Sequence, residues 1–286
     1  MNEIEEIKKS PFYEVASALD ELGYIDFIKR ADLMQRRPKM LPHEEHYFKV
    51  KTLLLGVISA LSYMQLSVLH IQRKHNKQYF LTHGYTDYSV YRYHYFVFCH
   101  GIATLHDLFF KLVVEVNDFN IGSKRMIQWE TLKKMLLAKN EREIVKLLEE
   151  FYATIKEHEQ KRNTASHEGL LTSPLIENYY ATYIWTNACN KNDSENSYPQ
   201  YTEGTKENKY LIGKTKKNLI NELNLLIDTS VNYTLSLFDL LLPILTNQIN
   251  IEFIKSHQEI LLGTNNKNIE KYILNSHHVQ PCTMRQ

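Results

Sequence analysis

TLLLGVISALSYMQLSVLHIQ, Thr52 to Gln72, is the stretch on which the fold turns. No charged side chain interrupts it. At about 1.5 Å per helical residue it has the length that a bilayer core requires. A membrane span and the core helix of a soluble bundle both satisfy that length. Polar content separates them: three serines, Tyr63, Gln65 and His70 lie inside the stretch. The chain as a whole is polar too, with a mean hydropathy of −0.40. The stretch therefore reads as a buried core helix, with no membrane partner.

The same helical period continues outward from it. FVFCHGIATLHDLFFKLVVEV (Phe96 to Val116) sets Phe98, Ile102, Leu105, Phe109, Leu112 and Val116 at alternating steps of four and three, a single apolar stripe. QWETLKKMLLA, Gln128 to Ala138, reads as a short amphipathic helix. Glu141 to Lys161 places Ile144, Leu148, Phe151 and Ile155 on one face, with Glu and Lys on the others. Ser173 and Pro174 read as the N-cap and first position of a helix over PLIENYYATYIWTNA. The last long helix, Lys216 to Leu245, is striped by Leu219, Leu223, Leu226, Tyr233 and Leu237. Pro243 is expected to kink or end it. A further helix over Ile251 to Leu274 precedes a tail read as disordered.

No convincing strand alternation and no internal repeat is present. The expected fold is all-α: an antiparallel helical bundle over residues 86–250, with an N-terminal helical extension over 1–85 and a C-terminal helix and tail over 251–286. The polar stretch Asn190 to Lys209 reads as an exposed loop, because it cannot bury apolar area.

Composition narrows function by exclusion. Of 286 residues, 43% are hydrophobic and 23% charged, and the net charge is +1. No global field steers the chain to nucleic acid, so any anion site must be local. Only 9 Gly and 7 Pro stand against 19 Tyr and 12 Phe, which suits a helical protein with an aromatic core. Three scattered cysteines, Cys99, Cys189 and Cys282, form no disulfide or zinc framework. The charged start MNEIEEIKKS carries no secretory signal, and a cytoplasmic setting is expected.

Several motifs fail. IGKTKK, Ile212 to Lys217, has the GKT of a phosphate loop, but the glycine required five residues earlier is Asn208. Lys214, Lys216 and Lys217 read as a solvated first turn. HEEH, His43 to His46, approaches a metalloprotease helix, but the second histidine falls one position early and Tyr47 takes its place. His277, His278 and Cys282 sit in the tail. No metal and no cofactor is expected.

KRNTASH, Lys161 to His167, does not fail. The stripe Ile144, Leu148, Phe151, Ile155 runs on by the same steps to His158 and Arg162. It aims a positive charge along the buried or interface-facing side, where it must meet an anion. On an unbroken helix Arg162 and His167 lie about 140° apart. Acting on one phosphate needs a break between them or a second chain. Asn163, Thr164 and Ser166 compete with the helix through their side chains, so a break is expected here. As a simple helix end, the same Arg and His would only complement the helix dipole.

An Arg, a polar residue after it and a His shortly beyond, at the end of a long helix in an all-α bundle, resemble the HEPN superfamily (higher eukaryotes and prokaryotes nucleotide-binding). The match is Arg162, Asn163 and His167, and the resemblance covers roughly Tyr88 to Leu245. It implies a four- or five-helix bundle that homodimerises so that two motifs share a cleft. It also implies a metal-independent endoribonuclease: a toxin, phage-defence or stress RNase with RNA as substrate and an antitoxin protein as counterpart. His167 would then be the general acid/base and Arg162 the phosphate clamp. Asn163 would orient His167 or donate to the phosphate. His158 either assists in the cleft or is an exposed helix histidine, and Glu168 either pairs with His167 or caps the following turn. Some HEPN toxins carry a modified Tyr two residues after the His; Gly169 stands there, which puts that mode of neutralisation in doubt. The alternative is a non-catalytic HEPN-like module that binds RNA or protein.

Overall fold

A computed structural model describes residues 2–34, 39–73, 87–120, 127–168, 206–249, 251–257 and 266–274, with isolated positions between them. Among the described residues the protein is helical throughout, with nine α-helices and no strand. They are α1 (Asn2–Lys8), α2 (Pro11–Met34), α3 (Pro42–Gln72), α4 (Asp87–Val116), α5 (Trp129–Ala138), α6 (Arg142–Glu168), α7 (Lys206–Asn247), α8 (Ile251–Ser256) and α9 (Lys267–Ile269). A π-helical turn, Glu270–Leu274, continues α9.

The chain divides into two compact units. One comprises Met1–Ser59, Leu105–Ala153 and Val231–Gln286; the other comprises Ala60–Thr104 and Thr154–Ser230. The division falls inside the long helices.

Pairings within the units fix the helix directions. In the first unit, His46 meets Glu115 and a Cβ on Gly56 would stand 3.1 Å from Leu108. In the second, Gly101 lies against Met64 and Ala60, and His70 stacks on His94. Rising numbers on α3 thus meet falling numbers on α4, so the two are antiparallel. In the first unit Phe109 of α4 packs on Phe151 of α6, and in the second Tyr95 of α4 meets His158 of α6. Helices α6 and α7 pair through Phe151 with Tyr233 and His158 with Glu222. The expected antiparallel all-α bundle is the observed one, made of α3, α4, α6 and α7.

The predicted stripes locate the core. All six α4 positions from Phe98 to Val116 are fully buried, as are Ile144, Leu148, Phe151 and Ile155 on α6. On α7 the prediction drifts: Leu226 and Tyr233 are half-buried, and Ile227, Val231 and Thr234 take the interior. A 42-residue helix gives its inward face room to rotate relative to a strict three-four count.

The first unit also takes the N-terminal extension. Phe12 of α2 packs on Phe238 at 4.9 Å, and Lys51 of α3 donates to Ser17 while lying over the Tyr13 ring. Glu44 is buried at the start of α3. It pairs with Arg30 and accepts from the Leu41 backbone N–H at 2.7 Å, so it also caps its own helix. Left-handed Asn140 (φ 63°) ends α5, whose orphan carbonyl at Leu136 accepts from the Glu141 N–H at 2.9 Å.

Three boundaries differ from expectation. Helix α7 begins at Lys206, inside the stretch read as loop, and Gly213 with its lysines lies within the helix rather than in a first turn. Pro243 does not stop α7, which runs four residues further to Asn247. The expected helix over Ile251 to Leu274 is interrupted. Helix α8 ends at Ser256, and Asn266 caps α9 by accepting from the N–H groups of Asn268 and Ile269. The expected helix opening at Ser173 and Pro174, the tail histidines, Cys189 and Cys282 lie outside the described residues.

Candidate functional site

Helix α6 leaves the core gradually. Its stripe is closed over by neighbours as far as His158, then emerges with Arg162 half-exposed and Asn163 exposed. Both the Nε and an Nη of Arg162 donate to Oδ1 of Asn163, at 3.1 and 2.7 Å. Two N–H groups of the guanidinium fork are thereby tied to its neighbour, which limits the rotamers the long side chain explores.

The expected break between Asn163 and Ser166 is absent. The backbone of α6 is helical through Glu168. Continued helical hydrogen bonding outweighs the local competition of the Asn, Thr and Ser side chains, which tend to bond backbone in non-helical forms. On this unbroken helix, Arg162 and His167 diverge by about 140°. The side chains of His167 and Glu168 lie outside the described residues.

His158 is not an exposed helix histidine. It is 5% exposed, and its Nδ1 shares a 3.2 Å hydrogen bond with the Tyr95 hydroxyl. The Phe98 ring lies edge-on to it at 6.5 Å. Burial, followed by the positive charge of Lys161, pulls its pKa down to about 4. Glu222 stands 4.0 Å from Nε2, but its half-exposed carboxylate does not outweigh burial, and burial raises the pKa of Glu222 itself. His158 is therefore neutral near pH 7 and walled in, an interior polar pair rather than a group that reaches a cleft. Nearby Cys99 is fully buried, and burial pushes its thiol up to about 12, far from the range of a reactive thiolate.

Another histidine feels the charge of Arg162. His100 of α4 is exposed, and its pKa is lowered by desolvation and then by the positive charge of Arg162. Its ring lies edge-on to Phe96 at 4.6 Å. Sequence reading missed it because no spacing within one helix links His100 to Arg162. The signal exists only between helices, once α4 and α6 are aligned antiparallel. An Arg can bind a phosphate, and a histidine can move a proton.

The HEEH residues are spent on local pairings: Glu44 with Arg30, Glu45 with Lys49, His46 with Glu115. Among the described residues no group of three or more His, Cys, Asp or Glu side chains is placed to hold a metal ion. No family model matches this chain, and no curated protein and no solved structure matches it either.

Proposed function

We propose that this chain acts on RNA as a metal-independent endoribonuclease of the HEPN type, cytoplasmic, with a site composed from two copies at the outer end of α6. The observation that carries the reading is Arg162, half-exposed and tied to Asn163 at the end of an otherwise buried stripe. Because α6 continues unbroken to Glu168, the histidine that serves this Arg162 comes from His167 of a second chain, or from His100 of α4, which feels its charge. In the reaction a histidine takes the proton of the 2′-hydroxyl, whose oxygen attacks the adjacent phosphorus. The bond to the 5′-oxygen breaks, and that oxygen leaves with a proton from the matching histidine of the other copy. The products are a 2′,3′-cyclic phosphate and a 5′-hydroxyl. Arg162 holds the phosphate oxygens as charge builds on them.

The test is incubation of the purified protein with RNA in EDTA, beside His167→Ala, His100→Ala and Arg162→Ala. The expected outcome is cyclic-phosphate product from the wild type and a loss of about a hundredfold or more when the working histidine or Arg162 is removed. Cleavage by neither wild type nor variants, or equally by all, sinks the catalytic reading. The unbroken α6 specifically favours a second reading, a non-catalytic module that binds RNA or protein. That reading predicts Arg162-dependent RNA binding without turnover.

A further inference from the structure

The lysines of IGKTKK find a place at one end of the second unit. Lys216 is half-buried there. Its Nζ donates to the Gln72 carbonyl at the end of α3, at 3.3 Å, and stands 5.0 Å over the Tyr91 ring near the start of α4. One lysine thus ties α7 to the ends of two neighbours. Lys214 and Lys217, three residues apart, share an exposed face of α7 beside it. Exposed Arg73 follows Gln72 directly, and half-buried Arg92 follows Tyr91. Helix α6 brings Arg162 to the same end. Tyr95 bonds His158, and Arg162 lies one turn beyond His158 as Tyr91 lies one turn before Tyr95.

The charge at this end is lopsided, although the whole chain carries only +1. From His46 to His106 the sequence holds a single acid, Asp87, against Lys49, Lys51, Arg73, Lys74, Lys77 and Arg92. An even spread of the chain's 33 acids would put about seven there. On α6 the acids Glu157 and Glu159 accompany Arg162, and Glu157 is held by Lys161 at 2.5 Å. Rings stand among the cations. Tyr93 is 62% exposed and lies edge-on to His94 at 5.1 Å. His94 is stacked on His70 at 4.6 Å with 2° between the planes, and Arg73 lies one turn beyond His70. Cations interleaved with exposed rings are what an unpaired nucleic-acid strand binds: phosphates to the first, bases to the second.

We infer that this end of the second unit is a cradle for single-stranded RNA, in which Arg73, Lys214 and Lys217 hold phosphates and the Tyr93 ring takes an unpaired base. The inference rests on the reading that the chain meets RNA, and adds where the strand lies and which form it has. A duplex hides the faces of its bases, so a stacking ring selects single strands. A lipid surface fits less well. Three helices, α3, most of α4 and most of α7, are long and apolar enough to cross a membrane by length and composition. A membrane face needs a broad apolar surface below its cationic rim. Leu66 and Leu69 of α3 are exposed, but α7 turns Asn218, Asn221 and Asp228 outward around its exposed Leu225, and α4 turns out His100 and Asp107.

The test is fluorescence anisotropy of the full chain with a labelled 2′-O-methyl oligouridine of about twelve nucleotides. That probe has no 2′-hydroxyl to attack, so binding is read apart from catalysis. Affinity is expected to fall with salt at a logarithmic slope of about −2, from three phosphates at about −0.7 each. Reversing Arg73, Lys214 and Lys217 together to Glu is expected to weaken binding about a hundredfold or more. The same change of net charge on the first unit, at exposed Lys29, Lys134 and Lys146, is expected to leave affinity near wild type. Tyr93→Ala is expected to cost about tenfold, while Tyr93→Trp keeps the stacking ring and the affinity. The Tyr93 pair carries the test by itself should the triple variant fail to fold. No oligouridine binding, equal losses from the two triple variants, an unchanged Tyr93→Ala, or a duplex bound as tightly as the single strand overturns the proposal. So does flotation with phosphatidylglycerol vesicles, lost in the Arg73, Lys214 and Lys217 variant, from a chain that binds no oligouridine. Cleavage of RNA in EDTA decides the catalytic reading alone: binding without cleavage sinks that reading and leaves the cradle, and cleavage with unchanged KM in the triple variant does the reverse.

Discussion

The two halves of α6 follow one geometric stripe and carry opposite chemistry. Ile144, Leu148, Phe151 and Ile155 run through the first half and are buried among aromatic rings from α4 and α7. His158 and Arg162 continue the line in the second half, the first buried and the second half-exposed. Position on the stripe therefore does not fix what a residue does. Depth does, and depth falls away along the helix. The first half holds the fold, His158 belongs to both fold and polarity, and Arg162 is half-exposed.

That gradient predicts a ranked series of losses. Phe151→Ala removes a ring packed 4.9 Å from Phe109 and 5.3 Å from Tyr233. Truncating a buried Phe costs about 3–5 kcal/mol. Denaturant unfolding should show that loss with no dependence on pH between neutral and mildly acid conditions. A loss below about 1 kcal/mol would mean that the first half of α6 is not the core half.

His158 comes next, and its effect is confined to acid. Above pH 6.5, the ordinary value, it is neutral folded and unfolded and contributes no slope. As pH falls from 6.5 towards about 4, the unfolded chain takes a proton that the folded one refuses, and stability is lost. The full shift corresponds to roughly 3 kcal/mol. Glu222 acts in the opposite sense just above its usual value, because burial raises its carboxyl, but it is half-exposed and water screens much of that. Unfolding midpoints measured from pH 7 to pH 4 should therefore fall more steeply for the wild type than for His158→Gln. The glutamine can still bond the Tyr95 hydroxyl but does not titrate. Parallel curves would show that His158 is open to water and belongs with Arg162.

The same gradient explains what the sequence revealed. The stripes on α4 and α6 were legible because each is a property of one helix, and period alone identifies the inward face. The burial of His158 was not, because Tyr95 and Phe98 that close over it come from α4. His100 was missed for the same reason. The absence of a break after Asn163 was a local question that propensity answered wrongly: Asn, Thr and Ser weaken a helix without ending it. Glu44 illustrates the limit further. HEEH reads as surface chemistry until Arg30, fourteen residues earlier on another helix, is seen to take its carboxylate.

The smallest expected effect on stability lies at the end of the series and separates fold from function most cleanly. Arg162→Ala removes a half-exposed side chain and its bonds to Asn163, its neighbour in the chain. Surface changes of this kind usually shift stability by no more than about 0.5 kcal/mol. The unfolding midpoint should therefore match the wild type while RNA binding or cleavage falls sharply. The variant also removes the positive charge that helps depress His100, so the His100 titration, followed by proton NMR, should move upward towards its usual value. An upward shift with lost RNA activity would make Arg162 and His100 one electrostatic unit at the surface. Lost stability with an unmoved His100 would instead place Arg162 with the buried half of α6, and the distinction between the two halves would fail.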